Sequence, residues 1–290
     1  MIVAYVVLSH RNPPQVLRLV RALAEGPSAK VLVRHDGRRS PLERASIEAV
    51  GGEAIDDEIR VEWGRWSQLE LILSCLHEAR RRHDPDWTLV LSGQDYPLRP
   101  MADIEDDLDR SGLDARIGAM REVESRRPAT GDEFFLRCRY RHLARPRAMP
   151  DLPRRLRPLV YARELPPLIG VRRLAPAPLR FFSSADWLTL GRRALDAVLA
   201  ATGDRRLMHH FRGVAVPSES FFASVLLADA SLAIDHDHRR FASFPGHGRP
   251  HPDTLTSADL DRILASGADF ARKFDAELDS EVLDRLDERR

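Results

Sequence analysis

The stretch Trp87-Thr88-Leu89-Val90-Leu91-Ser92-Gly93-Gln94-Asp95-Tyr96-Pro97-Leu98 decides the fold. An apolar run halts in a Ser-Gly-Gln-Asp turn closed by Tyr-Pro. That is the pattern of a buried strand carrying one carboxylate and small polar groups to the carboxyl edge of a sheet, where open α/β sheets bind ligands. Upstream, strands and helices alternate. A strand over 2–9 ends at Ser9-His10, and a helix from Pro13-Pro14 carries Val16, Leu17, Leu19 and Val20 and stops at Gly26. Lys30 to Arg34 reads as the second strand, 41–50 as a helix, and Arg60 to Trp63 as a short third strand. Ser67 then caps an apolar helix running to Arg82. This alternation predicts a mixed, mainly parallel sheet with helices on both faces.

Downstream, Arg145 through Pro178 is rich in proline and arginine without a sustained period. It reads as an insertion over about 142–180, either a lid or a solvated excursion. Regular pattern resumes with a strand at Trp187–Leu190 and a helix over 192–201. A helix over 219–227, a strand over 231–234 and a helical stretch over 257–275 follow. One domain over 1–276 is expected, in two parts (1–130 and 131–276, the second with the insertion), followed by a C-terminal tail (277–290).

Composition narrows the class. Apolar residues at 43% and charged residues at 31% describe a globule with a sizeable core, and a net charge of +1 gives no overall field for nucleic acid. Cys75 and Cys138 lack CxxC spacing, so neither a zinc site nor a disulfide framework is expected. The apolar opening is too short to span a bilayer and lacks a basic leader. The expectation is a cytoplasmic protein without a transmembrane segment, a peripheral place at the inner membrane face remaining open.

Three segments could carry chemistry. In Val216-Pro217-Ser218-Glu219-Ser220-Phe221-Phe222, Ser218 is a natural N-cap. Glu219 then falls in a first helical turn, where the helix dipole favours a carboxylate that could serve as general base. The same placement also serves stability alone. Ala271-Arg272-Lys273-Phe274-Asp275 sets two cations where a diphosphate could be held, or where a helix end is simply offset. Asp235-His236-Asp237-His238 alternates along a strand, which sends the aspartates and histidines to opposite faces, so it reads as an exposed strand end. His209-His210 reads as surface. No GxGxxG, Walker or HExxH motif is present.

Together these segments resemble the core-2/I-branching β-1,6-N-acetylglucosaminyltransferase family, which also holds the peptide O-xylosyltransferases. The resemblance is carried, in order, by Ser9-His10, by Arg34-His35-Asp36 with Ser40, and by Trp63-Gly64 with Ser67. It continues through Leu91 to Leu98, Ser184 with Trp187, Pro217 to Phe222, His251 to Thr256 and Phe270 to Asp275. It implies a GT-A-like α/β domain that inverts the anomeric carbon of a UDP-sugar without a divalent metal or other cofactor. The donor would be UDP-N-acetylglucosamine or UDP-xylose, and the partner a carbohydrate or other hydroxyl-bearing acceptor. By position, Glu219 is the implied base, and Lys273 with Arg272 neutralises the departing diphosphate. His10, Asp36, Trp63 and Gly64 lie on the donor side, Asp95 near the donor sugar or the acceptor, and Glu122, Glu124 and Trp187 are acceptor candidates. The resemblance thus implies a nucleotide-binding half over 1–130 and an acceptor half over 131–276. Where relatives carry a basic residue at the third position of the His251-Pro252 motif, this chain has Asp253, and Arg249 is the candidate substitute. Animal members have a Golgi anchor and disulfides, which this chain lacks, so a bacterial version is expected. Two rivals remain: a non-catalytic nucleotide-sugar or carbohydrate-binding protein on the same fold, and a UDP-sugar hydrolase.

Overall fold

The computed structural model describes residues 1–126, 133–142, 171–177, 179–244 and 252–290. Most of the expected 142–180 insertion, together with Arg249 and His251, lies outside the described residues.

Strand β1 (Val3–Ser9) is the hub. It pairs in parallel with β2 (Ala29–His35) on one side and with β4 (Trp87–Ser92) on the other, and β3 (Gly52–Ala54) extends the sheet beyond β2. On the far side of β4 the order continues through β11 (Leu188–Gly191), β6 (Ala115–Arg116) and β12 (Ile234–Asp235). Of these, β11 alone runs antiparallel to its neighbours. The protein is therefore α/β, with a mixed, mainly parallel seven-stranded sheet. The sequence halves are not separate bodies, because β11 and β12 complete the sheet begun by the first half.

Strand alternation sorts side chains into two cores. Ala4, Val6, Leu32 and Val90 face one side, beneath the helices Trp66–His83, Arg192–Ala201 and Ser218–Leu226. Val3, Tyr5, Val7, Val31, Val33 and Leu89 face the other, beneath Pro13–Leu23, Met101–Arg110, Leu260–Ala265 and Glu281–Asp287. The last helix corrects the expected tail. Val282, Leu283 and Leu286 are buried in the second core, and Asp287 accepts hydrogen bonds from Arg18 (2.8 Å) and Tyr96 (2.6 Å). The i, i+1, i+4 spacing of those apolar residues makes a helical stripe.

Two further expectations differ. Arg60 to Trp63 forms no strand. The edge of β2 is taken by β3, and the segment is fixed by side chains instead. Buried Arg34 forks onto Asp57 (2.9 and 3.0 Å) and donates to the Ile59 carbonyl, while Ser67 Oγ accepts from the Glu62 N–H (2.9 Å). The helical reading of 257–275 ends at Ala265. Gly267 follows at φ +66°, and Phe270–Arg272 is a strand, β14. It pairs with β13 (Arg240–Ala242) and antiparallel to β5 (Asp95–Pro97), setting Arg272 opposite Asp95. Two small ribbons complete the fold: β7 (Arg121–Glu122) with β10 (Phe182–Ser183), and β8 (Tyr140–His142) with β9 (Val171–Arg173).

Candidate active site at the carboxyl edge of the sheet

Because β1, β2 and β4 are parallel, Ser9, His35 and Ser92 end on one edge. Ser9 Oγ contacts His35 Nδ1 (2.8 Å), the Asp36 N–H donates to the Ser9 carbonyl (2.8 Å), and the Gly93 N–H donates to the Leu8 carbonyl (2.9 Å). A Cβ at Gly93 would stand 2.7 Å from that of Ser9, so only glycine lets the turn lie this close. Asp36 sits half-buried there. Arg38 donates to both its oxygens and pushes the carboxyl down to about 2. His10 is exposed on the same edge.

The cation pair arrives from β14. The Phe274 N–H donates to the Gln94 carbonyl (2.9 Å), and Gln94 Nε2 donates back to the Phe274 carbonyl (3.2 Å). This lacing holds Lys273 beside the Ser-Gly-Gln-Asp turn, half-buried and with no ion-pair partner among the described residues. Arg272 lies 3.4 Å from Asp95, and its guanidinium is 5.5 Å from the Trp187 ring centroid. The expected cationic pair is therefore present, but on a strand end rather than a helix end.

Asp95 itself is placed differently from the expectation of a donor or acceptor contact. It is 1% exposed, and both oxygens are engaged, by the Ser92 N–H (2.9 Å) and the Ser92 hydroxyl (2.8 Å). Buried Arg240 stands 3.7 Å away and donates to the Val90 carbonyl (3.1 Å). Burial pushes that guanidinium down to about 10, opposed by Asp95 and Asp269. Asp95 is thus a positioning group that fixes Arg272 and Arg240.

Glu219 comes to the site in the first turn of Ser218–Leu226, with Pro217 as the preceding cap residue and Ser218 already inside the helix. Its carboxylate accepts from Arg137, and its carbonyl accepts from the Ser184 N–H (2.8 Å). The Val216 N–H donates to the Gly64 carbonyl (2.9 Å), so the turn after half-buried Trp63 is tied to the entry of the Glu219 helix. Gly64 stands at φ +72°, a backbone that favours glycine. Gln68 accepts from the Gly64 N–H (3.0 Å) and donates to Asp186 Oδ2 (3.2 Å).

Asp186 and Arg137 are the residues that sequence reasoning missed. Asp186 Oδ1 is sealed from solvent without a hydrogen-bond partner among the described residues. Burial raises its pKa, opposed by the Ser218 hydroxyl, by the charges of Arg272 and Arg137, and by Gln68. Through Gln68 and the Gly64 turn Asp186 is tied to the entry of the Glu219 helix, and the neighbouring Trp187 ring carries the Arg272 guanidinium, so Asp186 stands between the two ends of the site. The available signal was its place between Ser184 and Trp187. Arg137 carried none, being 82 residues from its partner.

Other expected residues fall outside this group. Glu122 is exposed on β7 and paired with Arg180 (2.6 Å), and Glu124 is exposed beside it. The Asp253 N–H donates to the Ser243 carbonyl (2.7 Å), which fixes the backbone of the motif's third position. Asp235 accepts from the Asp237 N–H (3.0 Å) and Asp237 from the Arg239 N–H (2.8 Å), so both aspartates shape turns. His238 turns inward, edge-on to Trp187 at 4.5 Å, and burial pushes its pKa down to about 4. Nor is His210 a surface residue. It is 3% exposed, with Nε2 2.9 Å from the Cys138 carbonyl and Nδ1 2.7 Å from the Ala175 carbonyl. Among the described residues no group of three or more His, Cys, Asp or Glu is arranged to hold a metal ion. Among them, too, no helix is long and apolar enough to cross a membrane.

These features agree with the relationships of the sequence. The Core-2/I-branching enzyme family model matches residues 3–263, and the chain belongs to that family. Two relatives from Arabidopsis thaliana are the β-glucuronosyltransferases GlcAT14B, 22% identical over 98% of this chain, and GlcAT14A, 25% identical over 75%. The aligned parts span 65% and 46% of those proteins. Among solved structures, a CMP:2-keto-3-deoxy-manno-octonic acid synthetase complexed with CTP aligns over 92% of this chain and 98% of its own, at 15% identity and a TM-score of 0.38. At that score the likeness says nothing of this chain's activity.

Proposed function

We propose that the chain is an inverting glycosyltransferase that moves a sugar from UDP to an acceptor hydroxyl, with Glu219 as general base. The reading rests on one observation: a family member's sheet edge carries Glu219 at one end and Arg272 with Lys273 at the other, with Asp186 between them. The acceptor oxygen attacks the anomeric carbon and gives its proton to Glu219. The bond from that carbon to the diphosphate oxygen breaks, and UDP leaves with the electron pair. Arg272 and Lys273 offset the charge that develops on the diphosphate, as preorganised groups that need no rearrangement during the step. Arg137 orients the Glu219 carboxylate, and Asp36 with the Trp63-Gly64 turn flanks the uridine. No divalent metal takes part in this scheme, and the location proposed for the enzyme is the cytoplasm.

The donor is UDP-N-acetylglucosamine or UDP-xylose on the motif resemblance. The names of the two plant relatives favour a second choice, UDP-glucuronate. Calorimetric titration of UDP and the three UDP-sugars, in EDTA and then with Mn²⁺, tests the proposal. Tight binding in EDTA with preference for one sugar supports metal-free transfer and identifies the donor. Binding that requires Mn²⁺ contradicts the cationic scheme, and no binding at all favours a carbohydrate-binding protein.

A further inference from the structure

Arginine in this chain is commonly matched by a carboxylate, as with Arg18 and Asp287, Arg34 and Asp57, or Arg99 and Asp107. Arg139, Arg141, Arg173 and Arg212 depart from that habit. None forms an ion pair among the described residues, and yet the fold gathers them around the β8–β9 ribbon. Arg173 sits opposite Tyr140 in the ladder and within the field of Arg139. The Arg139 guanidinium lies 4.8 Å from the Phe181 ring centroid, with its Nε sealed and unpartnered. Arg141 packs its stem on the opposite strip: a Cβ built at Gly213 would stand 3.5 Å from Arg141 Cγ. Next to Gly213, Arg212 lies 5.2 Å from the ring centroid of Trp66, two residues beyond the Gly64 turn. Arg141, Arg173 and Arg212 are exposed.

The ladder pairs Arg141 with Arg172 and Arg173 with Tyr140. By strand alternation the ribbon therefore carries cations on both faces, Arg173 with Arg139 on one and Arg141 beside Gly213 and Arg212 on the other. None of these four has a counter-ion among the described residues, and a bound anion would supply one. The sequence is segregated in the same sense. From Arg137 to Arg180 it holds twelve arginines against two carboxylates, Asp151 and Glu164, in a chain whose net charge is only +1. Guanidiniums are suited to carboxylate and phosphate through their fork of donors. Among the described residues the large exposed apolar ones are Met1, Phe244 and Leu278, and none of these belongs to the ribbon, whereas a membrane-docking surface pairs such residues with its cations. The ribbon also adjoins the acceptor end of the site. The helix Glu133–Arg139 carries Arg137, which holds Glu219, and runs directly into β8.

We infer that the β8–β9 ribbon with Arg212 is an acceptor-binding surface, and that the acceptor is a polyanionic glycan bearing carboxylate or phosphate groups. The glycosyl-transfer reading is what makes the bound anion an acceptor. The test is direct binding of an oligoglucuronate and of linear polyphosphate, with a neutral maltooligosaccharide and anionic phospholipid vesicles as comparisons. Wild type is measured against the triple variant Arg141→Gln/Arg173→Gln/Arg212→Gln and against Arg212→Gln alone, leaving partly buried Arg139 in place.

We expect at least one soluble polyanion to bind wild type, more weakly as salt rises, with about tenfold or greater loss in the triple variant and a smaller loss in Arg212→Gln. Whichever probe binds distinguishes carboxylate from phosphate. Absence of binding by both, equal binding by the triple variant, or binding confined to vesicles overturns the inference, the last in favour of a membrane surface. UDP titrated into the same samples reports the donor site and the fold separately. A failure there strikes the transfer reading, whereas a failure of the polyanions strikes this one.

Discussion

The turn after β4 and the connection into β11 each seal carboxylate oxygen from solvent, at Asp95 and at half-buried Asp186, and the fold treats the two in opposite ways. Asp95 has both oxygens bonded by Ser92 and two guanidiniums within 3.7 Å. Asp186 has one oxygen on Gln68 and the other sealed without a partner among the described residues. A buried carboxylate with every lone pair spoken for is architecture, because nothing is left with which to meet a ligand. A carboxylate with a sealed oxygen left short of partners is costly to the fold, and such groups collect where chemistry is done. The difference separates the framework of this sheet edge from its working surface.

Three substitutions sharpen or break that contrast. The largest effect on the framework is expected from Asp95→Asn, which takes from buried Arg240 the one carboxylate within ion-pair distance among the described residues. Breaking such a pair costs about 3–5 kcal/mol. Thermal unfolding should show the midpoint falling by roughly 10 °C, with turnover per folded molecule reduced less than by loss of Lys273, because Asp95 acts on the site only through Arg272. An unchanged midpoint with lost turnover would move Asp95 to the working side. Next comes Lys273→Ala, which removes a cation from the end of the site proposed to hold the diphosphate. A fall in kcat of about 10²-fold, with weaker UDP binding by calorimetry, is expected. A variant that binds UDP as wild type does would take Lys273 out of the donor site.

The smallest effect concerns Asp186 and pH. Burial raises its pKa above the ordinary value of about 3.9, so the folded state favours the protonated form. The stability this gives is fully present below about pH 4 and is lost as pH rises through the raised value in the folded protein. Asp186→Asn cannot ionise. Melting curves across the pH range should therefore show wild type losing roughly 2–4 °C relative to the variant as pH rises. Parallel curves would show that the fold does not shift Asp186, and a wild type that gained on the variant as pH rose would show that it is stabilised as a carboxylate.

Much of the fold was legible because burial on both faces of β1 and β4 leaves continuous apolar runs, and because the helices on those faces repeat at their own period. The helix Arg192–Ala201 matches its expected span. What was not legible depended on neighbours distant in sequence. Gly52-Glu53-Ala54 has little strand propensity and becomes β3 because β2 offers an open edge. A Cβ at Gly52 would meet Ile47 at 2.7 Å and Val20 at 2.8 Å, a constraint that exists only once the helices are in place. Phe270 to Lys273 carries apolar spacing suited to a helix, and only Gly267 hints at the break before it. In the site, Glu219 and Lys273 could be picked out because their motifs are local. Arg137 and Gln68 could not, since their roles arise from partners 82 and 118 residues away.

The central claim is that Glu219 takes the acceptor's proton in a metal-free transfer. The most direct test is the rate of UDP release in EDTA, measured for wild type and Glu219→Gln with each of the three UDP-sugars at saturation, water or added glycan serving as acceptor. The account predicts release by wild type from one donor and a loss of about 10²–10⁴-fold in the variant, with UDP affinity retained. Release by Glu219→Gln at the wild-type rate would contradict it.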